Sequence, residues 1–240
     1  MRIDQDVCVG CEQCVPYCPV SAINATEGKV TIDEDLCVEC TTCLRSSHCP
    51  VDALIDSEDV DKWPRSIRKL FSDPSTTHPV TQVNGRGTEE VKTNDVTGIV
   101  KRGERAFCVE MGRPGVGAHL ADVEKVTMAL AALGVKFQER NPLYSLFKDK
   151  KTGEIIEDVK RERVLSMIIE FAVNPESIGK LMETIEEVSQ KIETVFSLDC
   201  LVRVDPDGGI PVLHELKKIG YAVSPWLKMN MGLGRPLAKE

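Results

Sequence analysis

Eight of the ten cysteines lie between residues 8 and 50, in two copies of one spacing. The first copy reads Cys8-x2-Cys11-x2-Cys14-x3-Cys18-Pro19, and the second reads Cys37-x2-Cys40-x2-Cys43-x5-Cys49-Pro50. Three thiols spaced by two residues surround one short loop, whose backbone N–H groups can turn inward onto a cube of iron and sulfide. Such a loop supplies ligands to three of the four irons, so the fourth iron needs a ligand from elsewhere in the chain. The spacing therefore indicates iron–sulfur chemistry, in which single electrons are stored and released.

The run resembles that of the bacterial two-cluster ferredoxins over roughly the first quarter of the chain. In that family the cysteine before the proline ligates the other cluster, so the resemblance implies two [4Fe–4S] clusters. The implied ligands are Cys8, Cys11, Cys14 and Cys49 for one cluster, and Cys37, Cys40, Cys43 and Cys18 for the other. The second copy departs from the pattern, because five residues separate Cys43 from Cys49. We expect ligation to survive, with altered polarity and solvent access near Cys49.

Zinc sites and a disulfide scaffold are the alternative interpretations of these cysteines. A zinc site commonly takes two paired ligands and two distant ones, not a triplet with a trailing Cys-Pro. Disulfides belong to secreted proteins, whereas charged residues and the first cysteine motif directly follow Met1, without the pattern of a signal peptide. We therefore expect a reducing, cytoplasmic environment.

Charge and hydropathy exclude two classes of partner. The longest apolar run, 126–135, has about ten residues, against roughly twenty for a membrane span, so we expect no membrane insertion. The net charge is −8, and residues 1–61 hold three Lys or Arg against thirteen Asp or Glu, a local charge of −10. This acidity disfavours nucleic acid. It is consistent with clusters of low potential, and it also keeps a protein soluble.

An internal repeat positions the cysteines. Residues 3–23 resemble residues 32–54, and we expect an approximate two-fold axis between the copies. Residues 22–32 predict two short strands around a Glu27-Gly28 hairpin turn. We assign residues 1–61 to a two-cluster ferredoxin domain whose folding depends largely on metal ligation.

Residues 62–104 are turn-rich and predict an extended segment that wraps along a surface. A short helix is predicted over 64–71, resting on the acidic cysteine region. Its apolar residues are Ile67, Leu70 and Phe71, and its basic residues Arg65, Arg68 and Lys69 are expected to be exposed.

Residues 105–220 predict the order β-α-β-β-α-β, an antiparallel sheet with two helices on one face. The elements are strand 105–111, helix 120–134, strand 135–139, strand 164–173, a helix capped by Asn174, and strand 194–204. A last helix, 210–219, precedes a tail at 221–240. The fold class is thus α+β, a ferredoxin domain followed by a ferredoxin-like sandwich that serves for docking.

Other candidate sites are weaker. The Gly112–Gly117 turn predicts a tight connection, with an anion or a partner backbone at the helix N-terminus as the alternative. Cys108 and Cys200 are expected on neighbouring strands but opposite faces, which gives too few thiols for a third cluster without other ligands. His48 either donates to a cluster sulfur or is a solvated loop residue.

No nucleophile–base pair, carboxylate pair or further cofactor fingerprint accompanies the cysteines, so we expect electron transfer without catalysis by this chain alone. Residues 87–98 and 112–115 resemble the ferredoxin-type small subunit of tungsten-dependent (class II) benzoyl-CoA reductases. That resemblance implies a large catalytic oxidoreductase subunit of the aldehyde:ferredoxin oxidoreductase type, which carries tungstopterin. It also implies an anaerobic bacterium degrading aromatics, and we expect a further electron carrier as a second partner.

Two other functions stay open. A redox-sensing regulatory protein would bind a small ligand in its β-α-β-β-α-β domain. A stand-alone ferredoxin carrier needs only the first 61 residues. An independent enzyme needs an open iron site or another cofactor, which two fully cysteine-ligated clusters do not offer.

Overall fold

The cysteine-rich region folds around two short antiparallel strand pairs. The computed structural model describes residues 1–82, 98, 100–113 and 115–225. The pairs are β1 (Arg2–Ile3) with β4 (Leu54–Ile55), and β2 (Ile23–Thr26) with β3 (Lys29–Ile32). Glu27 and Gly28 join β2 to β3 with φ angles of 52° and 77°. The predicted hairpin is therefore confirmed, and its turn has the two positive φ angles that a two-residue hairpin loop favours.

Backbone hydrogen bonds join the two copies of the repeat to each other. Asp4 N–H donates to the Ala53 carbonyl, and Asp33 N–H donates to the Ala22 carbonyl, both at 2.8 Å. Each of these bonds crosses from one copy to the other. The copies differ after the triplets, where a 3₁₀ turn, Val15–Tyr17, follows the first and helix α1 (Thr42–Ser46) occupies the longer second spacing.

Helix α2 (Ser66–Ser72) joins this region to the rest of the chain. Ile67 and Phe71 are buried in the large core, as the apolar spacing predicts. The expectation that Arg65 and Arg68 are exposed is wrong, because only 11% of the Arg65 side chain is accessible. Only 6% of Arg68 is accessible. Its guanidinium lies against backbone carbonyl groups of the cysteine-rich region, which replace water as hydrogen-bond acceptors.

A four-stranded antiparallel sheet organises residues 105–220, which we call the sheet region. Its strands are β5 (Arg105–Met111), β7 (Lys136–Phe137), β11 (Met167–Val173) and β12 (Phe196–Leu201). Their spatial order is β12-β5-β11-β7. At the centre of the sheet, Phe107 of β5 lies opposite Phe171 of β11, and the centroids of their stacked rings are 6.0 Å apart.

Two helices pack on the same face of this sheet. Helix α3 (Leu120–Ala132) follows β5, and helix α4 (Ile178–Ser189) follows β11. Their apolar sides form one core with Phe107, Val109 and Met111 of β5. The prediction of a mixed α+β fold is confirmed, and Gly134, with φ of 70°, stands just beyond α3 as expected for a helix end.

The predicted strand 164–173 is divided in the structure. Its first part, β10 (Arg163–Val164), pairs with β6 (Ala118–His119), and β11 starts only at Met167. The break occurs because Leu165 packs on the core of the cysteine-rich region, and its N–H donates to the Ser72 hydroxyl at 2.8 Å. A hairpin of β8 (Phe147–Asp149) and β9 (Glu154–Ile155) completes the insertion before β10.

One further difference and one agreement concern helix ends. Asn174 precedes a 3₁₀ turn, Pro175–Ser177, and its side chain makes no capping hydrogen bond, so α4 begins only at Ile178. The last described helix, α5 (Pro211–Lys218), ends near Gly220 as predicted.

Within the described residues, no helix has both the length and the apolar character needed to cross a bilayer.

Candidate metal centre

Cys8, Cys11, Cys14 and Cys49 line one cavity of the cysteine-rich region. We call them the outer cysteine set. The resemblance assigned the same four residues to one cluster. The other walls are largely apolar side chains from three of the short strands and the loops beside them, namely Ile3, Val9, Val30, Val51 and Leu54.

Cys18, Cys37, Cys40 and Cys43 line a second cavity and form the inner cysteine set. Each cavity thus receives three cysteines from one copy of the repeat and the cysteine before proline from the other copy. The walls of this cavity are again apolar and include Met1, Val20, Ile23, Ile32 and Val38. Both cavities are therefore lined mainly by cysteines and apolar side chains.

Left-handed backbone conformations shape both triplets. Gly10 and Glu12 have φ angles of 69° and 60°, and the equivalent Glu39 and Thr41 both have 55°. Alternating right- and left-handed residues turn successive N–H groups toward one side, which suits an anionic centre. The fourth cysteine of each run also has a donor, since the backbone N–H four residues later points at its sulfur.

These N–H···S contacts are the same in both copies. Ala22 N–H donates to Cys18 Sγ at 3.1 Å, and Ala53 N–H donates to Cys49 Sγ at 3.4 Å. The Thr42 hydroxyl adds a contact to Cys40 Sγ at 3.3 Å. Such donors stabilise thiolates and help to set the potential of any cluster that they hold.

The two sets differ in exposure. Cys11 is exposed, and the other members of the outer set are partly buried. In the inner set, Cys37, Cys40 and Cys43 are all buried. Val9, beside the outer set, is 63% exposed. The outer cavity therefore reaches the protein surface, whereas the inner one lies deeper, toward the sheet region.

Burial raises the pKa of several of these thiols. The pKa of Cys43 rises to about 12, first through burial and then through the nearby Cys40 and Cys37. Burial also raises the pKa of Cys14 and of Cys37, with Cys11 and Glu39 adding to the respective effects. Four thiolates in such a place require compensating positive charge, which bound iron supplies.

The donor set of each cavity fits a [4Fe–4S] cube. In such a cube each cysteine binds its own iron. Four thiols around an apolar cavity are the donors that such a cube takes.

Cys108 and Cys200 lie in the sheet region, away from both cavities, whereas His48 is next to the outer one. Cys108 is fully buried on the sheet face opposite the helices, and Cys200 packs against the helix-covered core. In the register of β12 with β5, Cys200 lies opposite Phe107 and Cys108 opposite Asp199. The prediction of opposite faces is confirmed. His48 is exposed and precedes Cys49 with φ of 50°.

The Gly112–Gly117 turn is a tight connection. A Cβ on Gly112 would lie 2.9 Å from the Leu165 carbonyl oxygen, and one on Gly117 would lie 3.3 Å from Val20 of the cysteine-rich region. The first two N–H groups of α3, from Leu120 and Ala121, donate to carbonyl groups of residues 162 and 160. These donors are therefore already used, which disfavours an anion site at this helix end.

Sequence reasoning missed the polar contacts between the loop that carries Cys37, Cys40 and Cys43 and the residues at the two ends of α2. Arg65 donates to the Glu39 carboxylate at 2.6 Å, and Glu39 is completely buried. Asp73 accepts from the Thr41 hydroxyl at 2.9 Å and pairs with Arg45 at 2.8 Å. The one signal for these contacts is the Glu at position 39, where the first copy of the repeat has Gly10.

Comparison with known families supports the N-terminal site. Residues 1–24 match the family model described as 4Fe-4S binding domain. The matched range includes Cys8, Cys11, Cys14 and Cys18 and ends before the second copy. This match supports an iron–sulfur electron-transfer role for the chain. Neither the curated proteins nor the solved structures that were searched contain a significant match.

Proposed function

We propose that the chain is an electron-transfer protein that holds two [4Fe–4S] clusters, one at the outer and one at the inner cysteine set. The observation that carries the proposal is the pair of separate cavities, each lined by four cysteines drawn from both copies of the repeat. When bound, each cluster stores and releases one electron.

The surrounding residues have defined roles in this proposal. The apolar walls limit water, and the N–H donors of Ala22 and Ala53 stabilise the sulfurs of Cys18 and Cys49. The local charge of −10 in residues 1–61 disfavours added electrons and lowers both potentials. This negative charge suits a carrier of low-potential electrons.

Iron content and single cysteine variants test the proposal. Anaerobically purified protein is expected to carry about eight irons and eight sulfides and to show a spin-coupled signal on reduction. Cys18→Ser should damage the inner cluster, and Cys49→Ser the outer one. Cys108→Ser and Cys200→Ser are the matched controls and should keep the full iron content.

Iron-free protein loaded with zinc would overturn the proposal. Loss of iron from either control variant would reveal a further metal site. If Cys18→Ser and Cys49→Ser both kept eight irons, the crossed ligand sets would be wrong.

We further propose that the chain is a subunit of a larger oxidoreductase rather than a free carrier. The chain continues for 179 residues beyond position 61, and the order β5, α3, β7, β11, α4, β12 suits a ferredoxin-like sandwich for docking. We divide the chain into the ferredoxin domain 1–61, the wrapping segment 62–104, the docking domain 105–220 and the tail 221–240.

For the partner we propose the tungstopterin subunit of a class II benzoyl-CoA reductase. The proposal depends on residues 87–98 and 112–115, of which 87–97 and Pro114 lie outside the described residues, as does the tail from Trp226. Affinity purification from the native host should bring down a large metal-containing subunit. Recovery of the chain alone, with a melting shift on adding a small metabolite, would instead favour a redox-sensing regulator.

A further inference from the structure

Arg68 of α2 is buried against the backbone that leads into the inner cysteine set. Its Nη1 donates to the carbonyl oxygens of Glu34 at 2.8 Å, Asp35 at 3.2 Å and Cys37 at 2.8 Å. Cys37 is itself a proposed cluster ligand. Three acceptors on one nitrogen fix the path of residues 34–37, since the buried Cys37 carbonyl depends on this donor.

The same guanidinium reaches the sheet region. Its Nε pairs with the carboxylate of Glu162, whose side chain is only 11% exposed. The Glu162 carbonyl in turn accepts the N–H of Leu120, the first residue of α3, at 3.0 Å. Arg68 therefore connects the loop of the inner set to the start of α3. The connection consists of its hydrogen bonds to the loop, its ion pair with the Glu162 side chain, and the hydrogen bond between the Glu162 carbonyl and Leu120.

Arg68 also places a positive charge beside the inner set, with its Nη1 on the Cys37 carbonyl and its Nε on Glu162. The other buried carboxylate here, Glu39, is balanced by Arg65 and by the N-terminal amine. A cation close to a cluster favours the state with one more electron, and an anion disfavours it. Because Arg68 and Glu162 are both largely buried, water screens their charges less than it screens those of exposed groups such as Asp61.

We propose that Arg68 is a positioning residue of the inner cluster, which orients the loop of Cys37 and makes this cluster easier to reduce than the outer one. The inference rests on the proposed function, because it requires a cluster at the inner set. Electrons that arrive at the exposed outer set then move inward, toward the sheet region.

Four variants of the full chain test this proposal. Arg68→Met removes the charge and the hydrogen bonds, whereas Arg68→Lys keeps only the charge and part of the bonding. Glu162→Gln removes the opposing negative charge. Lys69→Met is the matched control, because Lys69 is the next residue on α2 and its side chain pairs with the exposed Asp61, at 3.5 Å.

The measurement is a redox titration followed by electron paramagnetic resonance. The two clusters are assigned by partial oxidation with ferricyanide, after which the freed thiols are alkylated and located by mass spectrometry. At a fixed applied potential, R68M should lower the ratio of reduced to oxidised inner cluster on the order of fivefold, and E162Q should raise it. R68K should restore most of the ratio, and K69M should leave it unchanged.

If the ratio of reduced to oxidised inner cluster falls in R68M and rises in E162Q, the cause is the charge at these positions and not a general loss of structure. If R68M only loses iron, while E162Q binds both clusters with the wild-type ratio, the proposed role in setting the potential is overturned. An equal shift in K69M and R68M would overturn it as well. Wild-type protein that binds no inner cluster would instead contradict the proposed function, before any variant is compared.

Discussion

Gly10 and Glu39 occupy the same position in the two cysteine triplets, and both have a left-handed backbone. This conformation costs a glycine nothing, but it costs another residue roughly 1–2 kcal/mol. Glu39 is completely buried, and its carboxylate accepts hydrogen bonds from Ser57 and Arg65. These contacts offset the backbone strain and tie the second triplet to the segment that follows the cysteine-rich region.

Gly10→Ala should damage the outer cysteine set, whereas Gly28→Ala should leave it intact. Both glycines have φ near 70°, so the backbone cost of the substitution is similar. A Cβ on Gly10 would collide with the Gly28 carbonyl, but one on Gly28 meets no atom within 4 Å. We expect G10A to purify with roughly half the wild-type iron and G28A with nearly all of it. Equal iron in the two variants would mean that this close approach is not needed.

The sequence predicts helix α2 and its contact with the acidic cysteine-rich region, but not how deeply its basic side chains are buried. Its apolar spacing correctly places Ile67 and Phe71 in the core. Its basic face was expected in water, but Arg65 and Arg68 contact the cysteine-rich region instead. The helix therefore has two buried sides, one in the apolar core and one against polar backbone and carboxylate groups.

Asp73, the residue directly after α2, should contribute to the stability of the junction between α2 and the cysteine-rich region. It accepts hydrogen bonds from the N–H and the hydroxyl of Ser75 and from Thr41, and it pairs with Arg45. Asp73→Asn should lower the free energy of unfolding by about 1–3 kcal/mol. Asp61→Asn, at an exposed position, should cost less than about 1 kcal/mol. Urea denaturation measures both, and equal costs would count against this role.

The effect of Asp73 should depend on pH. Burial alone would raise its pKa, but the hydrogen bonds from Ser75 and Thr41 and the charge of Arg45 lower it overall. The native state therefore favours the ionised carboxylate. The difference in unfolding free energy between wild type and D73N should be complete above about pH 5 and should shrink as the pH falls below about 4. A difference that grew on acidification would contradict this sign.

At the scale of the whole molecule, the two cysteine sets have different neighbours. Three of the four cysteines of the inner set are buried, and this set contacts α2 and, through Val20 and Leu165, the sheet region. The outer set reaches the surface at Cys11 and Val9. A chain with one exposed and one enclosed set suits a subunit that receives electrons on one side and passes them on through a fixed arrangement.

The proposed partner should remain bound to the chain at high salt. A permanent interface of standard size or larger gains most of its stability from buried surface, which salt screens little. The acidic surface of residues 1–61 alone would give an attraction that salt weakens. We expect the complex from the native host to survive a wash at about 1 M salt. Release of the chain at that salt concentration would indicate a transient carrier instead.

The sequence by itself determined the features that depend on neighbouring residues. The cysteine spacing and the repeat predict two equivalent loops, and Glu27-Gly28 predicts the hairpin that the structure contains. Residues 105–111 predict a strand, and β5 has these bounds. Such features are encoded locally, because backbone preferences and side-chain periodicity act over a few residues.

Only the tertiary structure decided which groups meet across the chain. Arg68 contacts Cys37 and Glu162, which are 31 and 94 residues away, and no local pattern reveals either partner. Leu165 interrupts a strand that its own sequence favours, because packing on the cysteine-rich core provides a competing site for its side chain. The unequal burial of the two cysteine sets has the same origin. Equivalent loops acquire different environments because only one of them is covered by α2 and the sheet region.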